Sequence, residues 1–540
     1  MAFAPAFKFF IEFVLFTSLF LFVESKKASE KPHVIIFVAD DLGFGDVGYN
    51  GDDHISTPNI DALAADGIIL NKYYAAPVCS PSRGALLSGV HPIHSGTQNY
   101  VILTAEPRGL PLNISLLPSH LKKHGYATHA VGKWHLGFFK KEYTPTFRGF
   151  DSHVGYWTGA EDYYDHTALE DRTSWGLDFR HNLDLIKNAS GIYSTDYFTK
   201  RCLELISNHN KSKPLFMYMA YQSVHGANHY ARLQAPTELI KLFPNIKNNN
   251  RRIFAAMLLS MDLSIGTIFE ALHKRNMLEN SIIIFTSDNG GPASGFTGNA
   301  ASNWPLRGVK ATLWEGGVRV PAFIWSPLLK KSGYVSEAMM HITDWFPTVL
   351  EAVTGKNFES ERIYGRSMWQ TLSNNSSSPR NEILHNIDPI WNVSAITVNE
   401  WKLVQGLVFP KWSGWYPPLG TFLPSKPRVE SKAEQVLKFL NRTPKYTIFE
   451  NTRVRCGKKP PNASTNCKPD IEPCLFHIAS DPCEYNNVAQ LYPQIVKELF
   501  SKIETFNKTS VRPGNQPLDP CSWPPLHHYS WSNWKDDGMC

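Results

Sequence analysis

The sequence predicts an α/β fold: a large, mostly parallel sheet flanked by helices, with a smaller C-terminal α+β domain. Three observations predict it. Four short apolar runs end in polar or charged residues, namely HVIIFVADD (33–41), ATHAVGKWH (127–135), PLFMYMAYQSVH (214–225) and SIIIFTSDNG (281–290). Rich in Val, Ile, Phe and Tyr and without alternation, they read as strands covered on both faces. Helical spacing lies between them, most clearly in RRIFAAMLLSMDLSIGTIFEALHKR (251–275), and strands alternating with helices build a parallel sheet. Past about residue 375 the character changes. NNSSSPRN (374–381) reads as a connection, followed by short Trp/Pro/Gly-rich stretches and a cysteine cluster.

The elements follow in chain order. Residues 9 to 23 (FFIEFVLFTSLFLFV) form an apolar run behind Lys8, too short for a membrane span and suited to a signal-peptide core. Residues 1–25 are therefore expected to be a signal peptide cut after Ser25, 26–375 a catalytic domain and 376–540 the smaller domain with disulfide-rich loops. The predicted destination is the secretory pathway, lysosomal or secreted, with no membrane association after cleavage. Sequons at Asn113, Asn188, Asn210, Asn374, Asn375, Asn392, Asn441, Asn462 and Asn507 agree with secretory passage. Cys456, Cys467, Cys474, Cys483, Cys521 and Cys540 are disulfide candidates of undetermined connectivity. Cys202, in the helical pattern TDYFTKRCLELISNH, reads as a packing residue.

Hydrophobic residues make up 43% and charged residues 19%, which excludes a disordered or coiled-coil protein. The 54 basic and 48 acidic residues are interspersed, for a net charge of +6, so nucleic-acid binding is not indicated. In parallel sheets ligands gather beyond the carboxyl ends of the strands. Each of the four runs delivers its reactive residues there.

The segment VCSPSRGALLSGVHPIHSG (78–96) holds Cys79, Pro81, Ser82 and Arg83 in the order C-x-P-S-R. Pro81 suits the first turn of a helix, leaving Cys79 near an N-terminus where negative charge is favoured. With AYQSVH, GKWHLG, SDNGG and RGVKATLWEGGVR elsewhere, the chain resembles the formylglycine-dependent sulfatase family, most nearly its arylsulfatase B-like branch. The resemblance implies the alkaline-phosphatase-like sulfatase fold and enzymatic conversion of Cys79 to formylglycine by a formylglycine-generating enzyme.

Asp40 and Asp41 end the first run, Asp288 and Asn289 the last. Carboxylate and amide oxygens suit a hard cation, with Ca²⁺ preferred over Zn²⁺. Carried over from the family, Asp40, Asp41, Asp288, Asn289 and modified Cys79 would be the ligands of one Ca²⁺. Arg83, Lys133, His135, His225 and Lys310 would complete the catalytic set. The resemblance implies attack of a formylglycine-hydrate hydroxyl on sulfur, protonation of the leaving alcohol by His225 or Lys310, and collapse of the sulfated hemiacetal through His135.

The expected reaction is release of inorganic sulfate from a sulfated small molecule or glycosaminoglycan, such as N-acetylgalactosamine 4-sulfate. Small aryl or plant-derived esters of the glucosinolate type are the alternative. A phosphatase on the same broad fold is disfavoured by Asn289 after Asp288. A non-catalytic glycan-binding protein is disfavoured because Cys79, Arg83 and every expected ligand are present.

Overall fold

The computed structural model describes residues 31–538 apart from 52–54, 171–173, 296, 359, 361, 420–428 and 537. The expected signal peptide lies outside the described residues. All four apolar runs form strands at the centre of one ten-stranded sheet. The central strands are β1 (His33–Ala39), β2 (Ala127–Lys133), β3 (Ser152–Tyr156), β4 (Leu215–Ala220) and β5 (Ser281–Ser287). They lie in the order β5-β1-β4-β2-β3 and pair in parallel throughout. The edges are mixed. Ala322–Trp325 runs antiparallel to β5, and Arg180–His181 antiparallel to β3. The predicted parallel sheet thus describes the middle of the molecule, where the site is built.

Register places the strand ends level. Val38 pairs with Ala220, Ala220 with Gly132, and Ala39 with Ser287. Gly132 makes this possible: with φ +94°, a Cβ there would sit 1.9 Å from the Ala220 carbonyl oxygen.

Successive residues of β1 face opposite sides of the sheet, so each side has its own core. Ile35 and Phe37 pack with Phe254, Leu258 and Ile265 of the helix Asn249–Lys274 and with Phe198 and Cys202 of Ser194–Ser207. Val34, Ile36 and Val38 pack with Leu86 of the helix Cys79–Ser88 and with Trp345 and Val349 of Trp345–Thr354. Burying each such side chain contributes roughly 1.5–3 kcal/mol, which fixes the strands and hence the groups at their ends. The helix Asn249–Lys274 is long and apolar enough to cross a membrane, and its most apolar window is 78% buried within this fold. Cys202 is a free, buried thiol 3.7 Å from the Met219 sulfur.

Beyond the connection, Glu382–Asp388, Val393–Val398, Trp401–Gln405 and Cys474–His477 form a four-stranded antiparallel sheet. Leu499 and Ile503 of the helix Pro493–Asn507 cover it. Cys456 bonds to Cys483 and Cys467 to Cys474, and Cys521 is also disulfide-bonded. The later chain also returns to the main sheet. Ala433, Val436 and Leu437 join its first core, and Trp531 and Trp534 its second. Buried Lys402, on the strand Trp401–Gln405, lies 2.8 Å from Glu315 of the short helix Glu315–Val318 and 3.0 Å from Glu484.

Candidate active site

Because the central strands end level, residues distant in sequence converge. Asp40 and Asp41 follow β1, Asp288 and Asn289 follow β5, Lys133 ends β2, and His225 lies five residues beyond β4. Backbone hydrogen bonds lock these ends: Asp40 N–H donates to the Ser223 carbonyl, Val224 N–H to the Asp40 carbonyl, and Asp288 N–H to the Ala39 carbonyl. Cys79 and Arg83 come from the helix Cys79–Ser88, with Pro81 in its first turn and Gly89 capping its end at φ 71°. Lys310 comes from an irregular stretch, held where Ala311 N–H donates to the Pro77 carbonyl at 2.8 Å. Every member of the predicted set is buried.

Three cations partition three carboxylates. Lys133 Nζ donates to Asp40 Oδ2 at 2.6 Å, and Arg83 lies 3.5 Å from Asp40 Oδ1. Lys310 Nζ spans both Asp41 oxygens at 2.7 and 2.8 Å. Arg83 donates twice to Asp288 Oδ2, at 3.0 and 2.8 Å. Burial pushes the Asp40 carboxyl up, but Lys133, His225 and Arg83 outweigh it and hold the group below its ordinary value. Burial likewise works against charge on Lys310, and the neighbouring Asp41 reverses it, so the ammonium stays protonated.

Side chains able to hold a cation cluster here. Single donor atoms of Asp40, Asp41, Cys79 and His225 all lie within 4.8 Å of one another. Cys79 Sγ is 3.7 Å from Asp40 Oδ1. Asn289 donates Nδ2 to Asp41 Oδ1 at 2.7 Å, and its own Oδ1 is buried without a hydrogen-bond partner. An orphaned amide oxygen beside two carboxylates matches the donor chemistry of a hard divalent ion. Asp288 is more committed to protein: Oδ2 accepts from Arg83 and Oδ1 accepts from Asp41 N–H at 3.2 Å.

Hydrogen bonding assigns the histidine tautomers. His225 Nδ1 donates to the Gly226 carbonyl at 2.6 Å, so Nε2 faces Lys310 Nζ at 3.3 Å as an acceptor. Burial lowers the His225 pKa despite the neighbouring Asp41. His135, at φ 57°, donates Nε2–H to the Ile102 carbonyl at 2.9 Å. Its Nδ1 is then a buried lone pair without a partner. Burial, then Lys133 and Arg83, hold this imidazole well below its ordinary pKa, so it is a neutral base. The Cys79 thiol is pushed up to about 12, by burial first and Asp288 second. A thiol there is no nucleophile at neutral pH.

Two contributors carried no sequence signal. Asn299 donates Nδ2 to the Val224 carbonyl at 2.8 Å and to the Asp41 carbonyl at 3.3 Å, stapling the ends of β1 and β4. Ser80 Oγ accepts from Ile102 N–H at 3.1 Å and so positions the partner of His135. Each lies in a stretch of small residues whose role exists only in the folded chain.

Fold and site together define a hydrolase of sulfuric esters. The chain belongs to the sulfatase family, whose model, Sulfatase, matches residues 32–355. It is 40% identical over 526 residues to arylsulfatase J of Mus musculus, covering 94% of this chain and 81% of that protein. It is 33% identical over 363 residues to the N-acetylgalactosamine-6-sulfatase of Homo sapiens, covering 64% of this chain and 66% of that one. Among solved structures, Ps i-CgsB in complex with k-i-k-neocarrahexaose superposes with a TM-score of 0.70 at 26% identity, covering 94% and 98% of the two chains.

Proposed function

We propose that this sulfatase acts through a formylglycine made from Cys79 by a formylglycine-generating enzyme, with one Ca²⁺ held by Asp40, Asp41, Asp288, Asn289 and residue 79. The supporting observation is a buried, unreactive thiol at a helix N-terminus, among three carboxylates and an orphaned amide oxygen. Bound there, the cation would polarise the nucleophile and a sulfate oxygen. Arg83 and Lys133 carry fixed positive charge toward the sulfate oxygens. One hydroxyl of the hydrated aldehyde attacks sulfur, its proton passing to a neighbouring base, and the bond from sulfur to the leaving alcohol's oxygen breaks. The departing alcohol takes a proton from the Lys310–His225 pair. His135 Nδ1 then removes the proton of the remaining hydroxyl, the bond to the sulfate oxygen breaks, and the aldehyde returns. A plain serine or cysteine ester lacks that second hydroxyl and would stall.

The substrate we infer is a sulfated sugar such as N-acetylgalactosamine 4-sulfate, in keeping with an arylsulfatase B-like branch, or a small aryl or plant-derived sulfate ester. The carbohydrate named in the human relative and the oligosaccharide in the solved relative support the sugar. Passage through the secretory pathway to a lysosomal or extracellular destination, as a glycoprotein, is supported by sequon asparagines exposed at positions 113, 188, 210, 375, 392, 441, 462 and 507. The test is sulfate release from an aryl sulfate, with the matching aryl phosphate and Cys79→Ala as controls. Wild type is expected to cleave only the sulfate and the variant neither ester. Turnover by Cys79→Ala would refute the assignment.

A further inference from the structure

Both histidines assigned to proton transfer lean on one stretch of chain, residues 157–167, which follows β3. His135 N–H donates to the Trp157 carbonyl at 3.1 Å. Gly159 lies against the same ring: a Cβ there would sit 2.8 Å from both His135 Cε1 and Nε2. On the other side, Gln222 Nε2 donates to the Glu161 carbonyl at 2.5 Å. The Tyr163 hydroxyl is shared between the Gln222 and His225 carbonyls at 3.1 and 2.9 Å. Asp178 fixes the start of the stretch, its Oδ2 accepting from Trp157 N–H and Thr158 N–H at 2.9 and 2.8 Å.

The stretch also carries a buried pair that the mechanism leaves unused. Glu161 is fully buried and, among the described residues, neither of its carboxylate oxygens has a hydrogen-bond partner. Facing Oε1 at 3.6 Å is Nδ1 of His166, also buried. His166 Nε2 donates to the Ala189 carbonyl at 3.2 Å, which leaves Nδ1 as a bare lone pair. Two unprotonated acceptors brought together without water repel, and a buried carboxylate with no donor is costly. Arg180 offers no relief, being paired with Asp178 Oδ1 at 3.2 Å. Burial first, then Asp178, Asp162 and Asp165, push the Glu161 carboxyl well up, while burial lowers His166. A proton on Glu161, pointed at Nδ1, relieves both groups.

We propose that Glu161, protonated and donating toward His166 Nδ1, is a positioning residue: the pair fixes the loop from 161 to 166 and so holds His135 and His225 at their working geometry. This rests on the reading of those two histidines as proton-transfer groups.

Single-turnover kinetics on nitrophenyl sulfate separates the two chemical steps, since nitrophenol leaves in the first and sulfate in the second. Glu161→Ala and Gly159→Ala are expected to slow sulfate release by about 10²-fold, the scale of a misplacement of about 1 Å, with nitrophenol release little changed. Glu161→Gln, which keeps a donor for Nδ1, is expected to recover most of that loss. Gly159→Ala leaves the pair intact and carries the positioning test should Glu161→Ala fail to fold. On N-acetylgalactosamine 4-sulfate, release of the sugar is expected to slow too in Glu161→Ala, and an unchanged rate there removes His225 from the claim. Equal slowing of both releases from nitrophenyl sulfate, or wild-type sulfate release in both alanine variants, overturns the positioning role. Glu161→Gln as slow as Glu161→Ala overturns the protonated pair. His135→Ala, measured alongside, isolates the underlying reading: undiminished sulfate release in that variant overturns His135 as the base, whatever residue 161 does.

Discussion

Asn289 donates its amide nitrogen to Asp41 at 2.7 Å, which leaves the Asn289 carbonyl oxygen buried and unpartnered. Leaving such an oxygen unsatisfied costs about 1–3 kcal/mol, and a hard cation satisfies it. Calcium added to chelated protein is therefore expected to raise the melting temperature and restore activity. In Asn289→Ala both responses are expected to weaken. Calorimetry of the two proteins with and without calcium checks this, and equal shifts would count against the ligand set.

Arg83 is the cation whose removal leaves most exposed electrostatically. It donates twice to Asp288 and lies near Asp40, with all three groups buried. Arg83→Met leaves Asp288 without compensation and is expected to cost about 3–5 kcal/mol of stability, together with loss of turnover. Cys79→Ala removes no charge partner and is expected to lose turnover with near-wild-type stability. Urea unfolding midpoints separate the two, and similar midpoints would contradict the charge partition.

Proton delivery by the Lys310–His225 pair matters most when the leaving alcohol is a poor one. His225→Gln is expected to slow cleavage of a sugar sulfate by about 10²–10⁴-fold and of nitrophenyl sulfate much less, since nitrophenolate leaves without a proton. Parallel kcat measurements on both esters decide it. Equal losses would remove His225 from proton delivery.

A second histidine cluster predicts acid sensitivity. His91 and His341 stack at 5.5 Å, and His91 bonds to the Leu384 carbonyl at 2.9 Å. Burial pushes His91 down to about 3 and holds His341 and His385 well below their ordinary value. The unfolded chain takes up protons below about pH 6.5 that the folded chain refuses. Stability is thus fully present above pH 6.5 and falls as the pH drops toward 3. Each such histidine contributes a loss of about 2 kcal/mol between pH 6.5 and 5. His341→Asn keeps an acceptor for the Thr343 amide and is expected to flatten the decline in melting temperature. An unchanged slope would contradict this origin.

Much of this was legible in the sequence, for identifiable reasons. The strands β1, β4 and β5 have unbroken apolar centres because both faces are buried, and the polar residues at the ends of all four runs mark where the chain leaves the sheet. Pro81 and Gly89 punctuate the helix that carries Cys79. What stayed hidden depends on partners far apart in sequence. Nothing in the segments themselves shows Asp40 and Asp41 divided between Lys133 and Lys310, the tautomer His135 takes from the Ile102 carbonyl, or Asn299 tying two strands. The mixed sheet edges escaped notice because Ile68–Leu70 and Ala322–Trp325 are too short to show a period. Tyr100 meets Trp391 only after the C-terminal sheet docks.

The proposed turnover depends on an oxidised residue 79 within reach of these oxygen donors. Mass spectrometry of the peptide spanning position 79, from protein purified in active form, tests it most directly. The predicted result is a residue lighter than cysteine by the difference between a thiol and an aldehyde side chain. An intact thiol in fully active protein would contradict it.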